Sequence, residues 1–341
     1  MRVVVVGATG AVGTEILSLL EDREFPVDEL IPLASARSVG RKLDFDGGRA
    51  EVRALGSEAF EGADVALFDV PDDVAREWAP VAAAAGCVVV DNSAAWRMDP
   101  EVPLIVPEIN ASHASATPKG IIASPNCTTL AMVVPISALH AEARLRRLIC
   151  ASYQAVSGSG KPGVDELWDQ SEIAQKDPDA VRAGRAVDVV EAGRTFPHPI
   201  AYNVIPQCGS PREAGYTSEE LKLCNETRKI LGLERLPVTA TCVRVPVMVG
   251  HAVAVHAEFE EPISPSDART ILAAAPGVEL RDDLEAGIYP TPLDAAGRDP
   301  CYVGRVRQDA FDELALELFC VADNLRKGAA LNTVQIAELL V

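Results

Sequence analysis

The first thirteen residues constrain the fold most. Val3 to Val6 is an unbroken β-branched run, and Gly7-Ala8-Thr9-Gly10-Ala11-Val12-Gly13 follows it directly. A segment apolar at every position is a strand buried on both faces, the condition of a parallel sheet. Thr14 to Glu21 then spaces its apolar residues as a helix does. Strand, glycine turn and helix in that order bring backbone N–H groups close to a phosphate, and the helix N-terminus adds partial positive charge. The GxxGxxG spacing is a variant of the dinucleotide fingerprint. A tight turn with no ligand would also use such glycines, but the position directly after a buried strand favours a cofactor.

The pattern continues in the same sense. Strands are expected near Leu30–Ala34, Val65–Val70 and Cys87–Val90, with an Ala-rich crossover helix over Asp72–Ala85. Alternating strands and helices imply a parallel sheet with helices on its faces. After Cys127 the character changes. Thr128–Leu145 is expected to be helical, with Pro135 as a kink or boundary. Leu148–Val156, Thr241–Val247, Ala252–Phe259 and Leu314–Val321 are expected as strands of a mixed or antiparallel sheet. Lys161–Gln175 and Asn324–Leu340 are expected as helices, and Asp177–Pro199 as irregular loop. A chain of 341 residues suits about two such domains.

The net charge of −19 argues against sequence-independent nucleic-acid binding. An anionic substrate then requires a local cluster of cations. The eight cysteines form no CxxC pair and no zinc-finger spacing, so no metal site is expected, and the thiols are expected to be reduced, as in a cytoplasmic protein. The opening apolar run is too short for a signal segment or a membrane span.

The cofactor type is read at the end of the second strand. NAD sites place an acid there, on the ribose hydroxyl. Here the stretch Leu33-Ala34-Ser35-Ala36-Arg37-Ser38 has no acid. Arg37 can pair with a 2′-phosphate, so NADP is expected, with a solvated loop arginine as the alternative.

Ser124-Pro125-Asn126-Cys127-Thr128-Thr129 puts a cysteine just before a predicted helix. A helix N-terminus favours the thiolate, the form that attacks a carbonyl carbon. Asn126 and the following N–H groups could hold an oxyanion. Equally, Cys127 could be one of eight core cysteines. Of the five histidines, His251 follows Gly250 at a break between two strands, where an exposed imidazole is expected; a structural role is the alternative.

At this point the residues match a known family. GATGAVG at Gly7, SARS at Ser35, SPNCTT at Ser124, YQAVSGSGKPG at Tyr153, EELK at Glu219, RVPVMVGHA at Arg244 and ADNLRKGAALNTVQIAE at Ala322 occur in order along essentially the whole chain. In these the chain resembles the aspartate-semialdehyde dehydrogenases. The resemblance implies an α/β chain with an N-terminal Rossmann-type NADP-binding domain (1–126 plus 323–341). It also implies an α+β catalytic and dimerisation domain with a mixed sheet (127–322). Carried over by position, Cys127 resembles the nucleophile and His251 the general acid/base. Gln154 and Arg244 resemble the substrate-holding pair, and Glu219 a contact to the substrate ammonium. Arg97, Asn126 and Lys222 resemble phosphate-binding groups. Thr9, Gly10, Ala11, Val12, Arg37, Ser38, Ser157, Gly158 and Asn324 match cofactor positions. Without the resemblance Arg97, Glu219 and Lys222 read as solvated surface charges.

The implied reaction is NADPH-dependent reductive dephosphorylation of aspartyl phosphate to aspartate semialdehyde. It releases inorganic phosphate, in biosynthesis of lysine and diaminopimelate, methionine, threonine and isoleucine, by a cytoplasmic homodimer without nucleic-acid or membrane partners. The rival readings are an N-acetyl-gamma-glutamyl-phosphate reductase and a non-catalytic homologue that binds nucleotide or a protein partner.

Overall fold

A computed structural model describes residues 1–341, which divide into two compact units. The first comprises Met1–Asn126, Asn225–Glu234 and Leu325–Val341; the second comprises Cys127–Cys224 and Arg235–Asn324.

The first unit is built on a parallel sheet. Its strands are β1 (Arg2–Val6), β2 (Glu29–Ala34), β5 (Arg53–Ala54), β6 (Val65–Phe68), β7 (Val88–Asp91) and β8 (Ile121–Ala123), in the order β5-β2-β1-β6-β7-β8. Every pairing is parallel. Val3, Val4 and Val5 have no exposed surface, as a strand covered on both faces requires. A small antiparallel hairpin, β3 (Lys42–Phe45) with β4 (Gly48–Glu51), stands apart from this sheet. Helices α1 (Ala11–Asp22), α2 (Asp72–Ala84) and α3 (Pro107–Asn110) intervene between the strands. The chain passes from β1 to β2 on one side and then to β6 on the other. The strand order therefore reverses at β1, which opens a crevice at the carboxyl ends of the strands. The glycine turn sits there. A Cβ on Gly13 would lie 2.2 Å from the Gly7 carbonyl oxygen, so the turn closes this tightly only with glycine.

The second unit holds a mixed sheet, order β10-β9-β11-β14-β13-β12. Its strands are β9 (Leu145–Gln154), β10 (Val238–Arg244), β11 (His251–Phe259), β12 (Val278–Leu280), β13 (Cys301–Gln308) and β14 (Ala315–Ala322). β9 and β10 run parallel, as do β12 and β13, and the other pairings are antiparallel. Helix α4 (Cys127–Ala143) lies against β9, β11, β13 and β14. Its residues from Thr128 to Ile136 are all buried. That all-round burial accounts for Pro135. Tertiary packing holds the helix past a residue that lacks an N–H, so the boundary expected there is absent. Helices α5 (Gly160–Ala174), α6 (Pro178–Arg182), α8 (Pro265–Ala274) and α9 (Pro292–Ala295) complete the unit. Helix α7 (Ser218–Leu231) begins in the second unit and ends in the first. The chain closes with a π-helical turn, Arg326–Ala330, and α10 (Leu331–Glu338). No helix is long and apolar enough to cross a membrane.

Candidate active site

Sheet register places three of the expected side chains at one edge of the second unit. Gln154 ends β9 and Arg244 ends β10, and the two are direct partners in the parallel ladder. β11 runs the opposite way, so its first residue, His251, lies at the same edge, opposite Ala322 at the end of β14. The ends of three strands and the start of a fourth thus converge, with short turns leading away from each.

The backbone of Ala155 joins two of these side chains. Its N–H donates to His251 Nδ1 at 3.0 Å, and its carbonyl accepts from Arg244 Nη1 at 2.6 Å. Because Nδ1 is an acceptor, the neutral ring carries its proton on Nε2. Nε2 is buried and has no hydrogen-bond partner. The imidazole was expected to be exposed, but it has no exposed surface. The segment that follows β9 explains the difference, since Ala155 bonds Nδ1 and Gly158 packs against the Nε2 side of the ring. Burial, followed by the positive charge of Arg244, pushes the His251 pKa down to about 3. Gly158 leaves room for this pair. A Cβ there would meet Arg244 Nη1 at 2.7 Å and His251 Nε2 at 3.0 Å. Gly250 has φ +99°, the left-handed turn that delivers the chain into β11.

Ser157 and Asn324, expected at the cofactor, are buried beside the same turn. Asn324 Oδ1 accepts the Gly250 N–H at 2.8 Å, and its Nδ2 donates to Ser157 Oγ at 2.9 Å. Asn324 therefore fixes the peptide just before His251.

Cys127 is the first residue of α4, at the positive end of a 17-residue helix. All eight cysteines are free, and the other seven are buried while Cys127 is partly exposed. Burial pushes the Cys150 and Cys208 thiols up to about 12, and pushes Cys242 and Cys320 upward as well. Those groups stay as thiols. Arg244, Glu219 and Cys127 each act electrostatically on the buried Cys208 thiol.

Helix α7 supplies the remaining charges. Thr217 and Glu220 form reciprocal bonds at its start: the Thr217 N–H donates to Glu220 Oε2 at 2.7 Å, and the Glu220 N–H to Thr217 Oγ1 at 3.3 Å. The Thr-x-x-Glu spacing in the sequence marks this helix start. It fixes Glu219 on an inward face, 8% exposed, with Gln154 Nε2 3.5 Å from Oε1 and Lys222 Nζ 3.3 Å from Oε2. Lys222 is half-buried rather than a free surface charge.

In the first unit, Arg97 is buried. Its Nε donates to the Ser124 carbonyl at 2.8 Å and Nη2 to the Asn92 carbonyl at 2.7 Å; Nη1 meets Glu226 Oε1 at 3.1 Å. The other Glu226 oxygen accepts the Asn126 N–H at 2.6 Å. Arg97 thus ties the loop after β7 to the loop after β8. Sequence reasoning missed Glu226. Its only mark was helical spacing, seven residues after Glu219.

At the glycine turn, Gly10 and Ala11 are exposed at the N-terminus of α1, which has no acid in its first turn. Bare backbone at a helix N-terminus fits a pyrophosphate. Thr9 Oγ1 and Ser38 Oγ are 3.3 Å apart, and Arg37 is exposed in the turn that follows β2. Val12 is partly buried behind them.

A doubly wound domain with this turn, joined to a mixed-sheet domain whose first helix opens on a cysteine, has the organisation of a nicotinamide-dinucleotide-dependent dehydrogenase. Comparison with known proteins narrows this. Residues 2–117 match the semialdehyde dehydrogenase NAD binding domain, and residues 136–327 match the semialdehyde dehydrogenase dimerisation domain. An aspartate-semialdehyde dehydrogenase of Aquifex aeolicus is 47% identical over 100% of this chain and 98% of its own length. One of Corynebacterium glutamicum is 50% identical over 99% of each chain. The crystal structure of aspartate semialdehyde dehydrogenase II complexed with ASA from Vibrio cholerae superposes with TM-score 0.93 at 41% identity, covering 99% of this chain and 97% of that one. The chain belongs to the aspartate-semialdehyde dehydrogenase family.

Proposed function

We propose that the chain catalyses the NADPH-dependent reductive dephosphorylation of L-4-aspartyl phosphate to aspartate semialdehyde, with release of inorganic phosphate. The observation that carries this reading is the meeting of Gln154, Arg244 and His251 at one end of the mixed sheet, with Glu219 3.5 Å from Gln154. A guanidinium for the α-carboxylate and a carboxylate for the ammonium fit an amino acid, and the cysteine supplies a nucleophile. A buried carboxylate such as Glu219 pairs with a charged ammonium and not with a neutral acetylated amine, which favours the free-amine substrate.

Each side chain has a part in the reaction. Arg244 and Gln154 hold the substrate carboxylate, and Glu219 holds the ammonium. Arg97, Asn126 and Lys222 receive the phosphate. The Cys127 thiolate attacks the acyl carbon; the acyl–oxygen bond breaks, and phosphate departs, taking up one proton. A thioester on Cys127 remains. Bound NADPH supplies the hydride that reduces it. Collapse of the resulting hemithioacetal releases the aldehyde and returns the thiolate. His251 acts from its neutral form, with Nε2–H as the donor to the developing oxyanion. The Asn126 N–H is engaged by Glu226 and is not a donor to the oxyanion.

Arg37 and the absence of an acid after β2 support NADP over NAD. Thr9, Gly10, Ala11, Val12 and Ser38 line the phosphate end, and Ser157, Gly158 and Asn324 sit beside the catalytic pair. The outer face of the mixed sheet, with Tyr153 and Phe319 ring centroids 6.2 Å apart, supports a homodimer that covers it. Eight free cysteines support a cytoplasmic setting. The direct test is NADP reduction with aspartate semialdehyde. The reading expects turnover that requires phosphate. Turnover with N-acetylglutamate semialdehyde alone would overturn it.

A further inference from the structure

Glu226 has no part in the reaction above, yet it is 1% exposed and charged. A carboxylate this deeply buried is costly unless both oxygens are engaged. Its two engagements are specific. Oε1 meets Arg97 Nη1 at 3.1 Å, and Oε2 accepts the Asn126 N–H at 2.6 Å. These are two of the three groups assigned above to phosphate. The third, Lys222, lies four residues before Glu226 on the same helix, so α7 presents both along one stripe. The Arg97 guanidinium spans from the Asn92 carbonyl to the Ser124 carbonyl, and Glu226 engages its third nitrogen, Nη1.

We propose that Glu226 is a positioning residue for the phosphate step: its buried carboxylate clamps the Arg97 guanidinium and the Asn126 N–H in one fixed relation. This rests on the reading of Arg97 and Asn126 as phosphate-binding groups. A planar guanidinium recognises an oxyanion only when its fork is aimed, so loss of the clamp weakens phosphate recognition while Arg97 itself remains. The contacts to the substrate carboxylate and ammonium, made by Arg244 and Glu219, do not run through Glu226.

The test is Glu226→Asp, which keeps the charge and shortens the reach, alongside Glu226→Gln, which keeps the length and removes the charge. Steady-state KM values for phosphate and for aspartate semialdehyde are measured in the phosphate-consuming direction. The expected result for both variants is a rise in the phosphate KM of about tenfold or more, with the semialdehyde KM within about twofold of the parent. A phosphate KM unchanged in a folded variant overturns the proposal. So does a parallel rise in both KM values, which marks a general loss of structure. If one variant does not fold, the other decides. Arg97→Ala separates the two levels: an unchanged phosphate KM there would remove the underlying reading of Arg97, whatever Glu226 does.

Discussion

His251 and Arg244 illustrate how the backbone of one residue can set the chemistry of two side chains. The Ala155 N–H fixes which ring nitrogen of His251 holds the proton, and its carbonyl aims the Arg244 fork. A lysine at 244 would keep the charge and lose the planar pair of donors. We expect Arg244→Lys to raise the semialdehyde KM about 30-fold, roughly 2 kcal/mol of charge-assisted hydrogen bonding. A KM equal to that of the parent would remove the carboxylate role. At this scale the sequence was partly legible. Cys127 stood out because a cysteine ahead of a helical pattern has a physical reason to react, although seven other cysteines had to be set aside. Its partial exposure among buried thiols separates it in the structure. Arg97 and Glu219 were not legible from pattern, because burial of a charge depends on partners far away in the chain. Glu226 lies 129 residues from Arg97.

Elements rather than single residues decide where the chemistry can occur. β1, the glycine turn and α1 could be read directly, since a continuous apolar strand and a helix start leave strong local marks. β9, β11 and β14 were also legible, with ends displaced by one to three residues. β10 runs Val238–Arg244 where Thr241–Val247 was expected. The shift matters, because it makes Arg244 the end of the strand and the partner of Gln154. The hairpin of β3 and β4, and strands β12 and β13, left weak marks. β12 is only half-buried, and β13 carries a register shift near Arg305 that interrupts its alternation. Helix α7 was missed because the buried face that runs its length carries Glu219, Glu220, Glu226 and Thr227 among Leu223, Cys224 and Ile230, so it does not read as an apolar stripe. At the end of β2, Arg37 stands in an exposed turn, the position proposed to set cofactor choice. Arg37→Glu should lower the ratio of kcat/KM for NADP to that for NAD, because a carboxylate repels the 2′-phosphate. A ratio that stays at the parent value would contradict that contact.

For the molecule as a whole, the buried neutral imidazole links stability to pH. His251 titrates near 6.5 when unfolded and near 3 when folded. Between those values the unfolded chain holds a proton that the folded chain refuses. This contribution is fully present above pH 6.5 and is lost as pH falls toward 3. Glutamine can accept the Ala155 N–H without titrating. Between pH 7.5 and pH 5.0, urea unfolding should therefore show the stability of the parent falling by about 2 kcal/mol more than that of His251→Gln. An equal loss in both proteins would contradict the neutral ring. The central claim is a covalent intermediate on Cys127, and it is tested most directly in the absence of phosphate. When the protein is mixed with aspartate semialdehyde and NADP alone, a single burst of NADPH equal to the concentration of active sites is predicted, with the acyl group found by mass spectrometry on the peptide containing Cys127. No burst without phosphate, or an acyl group on any other cysteine, would contradict the account.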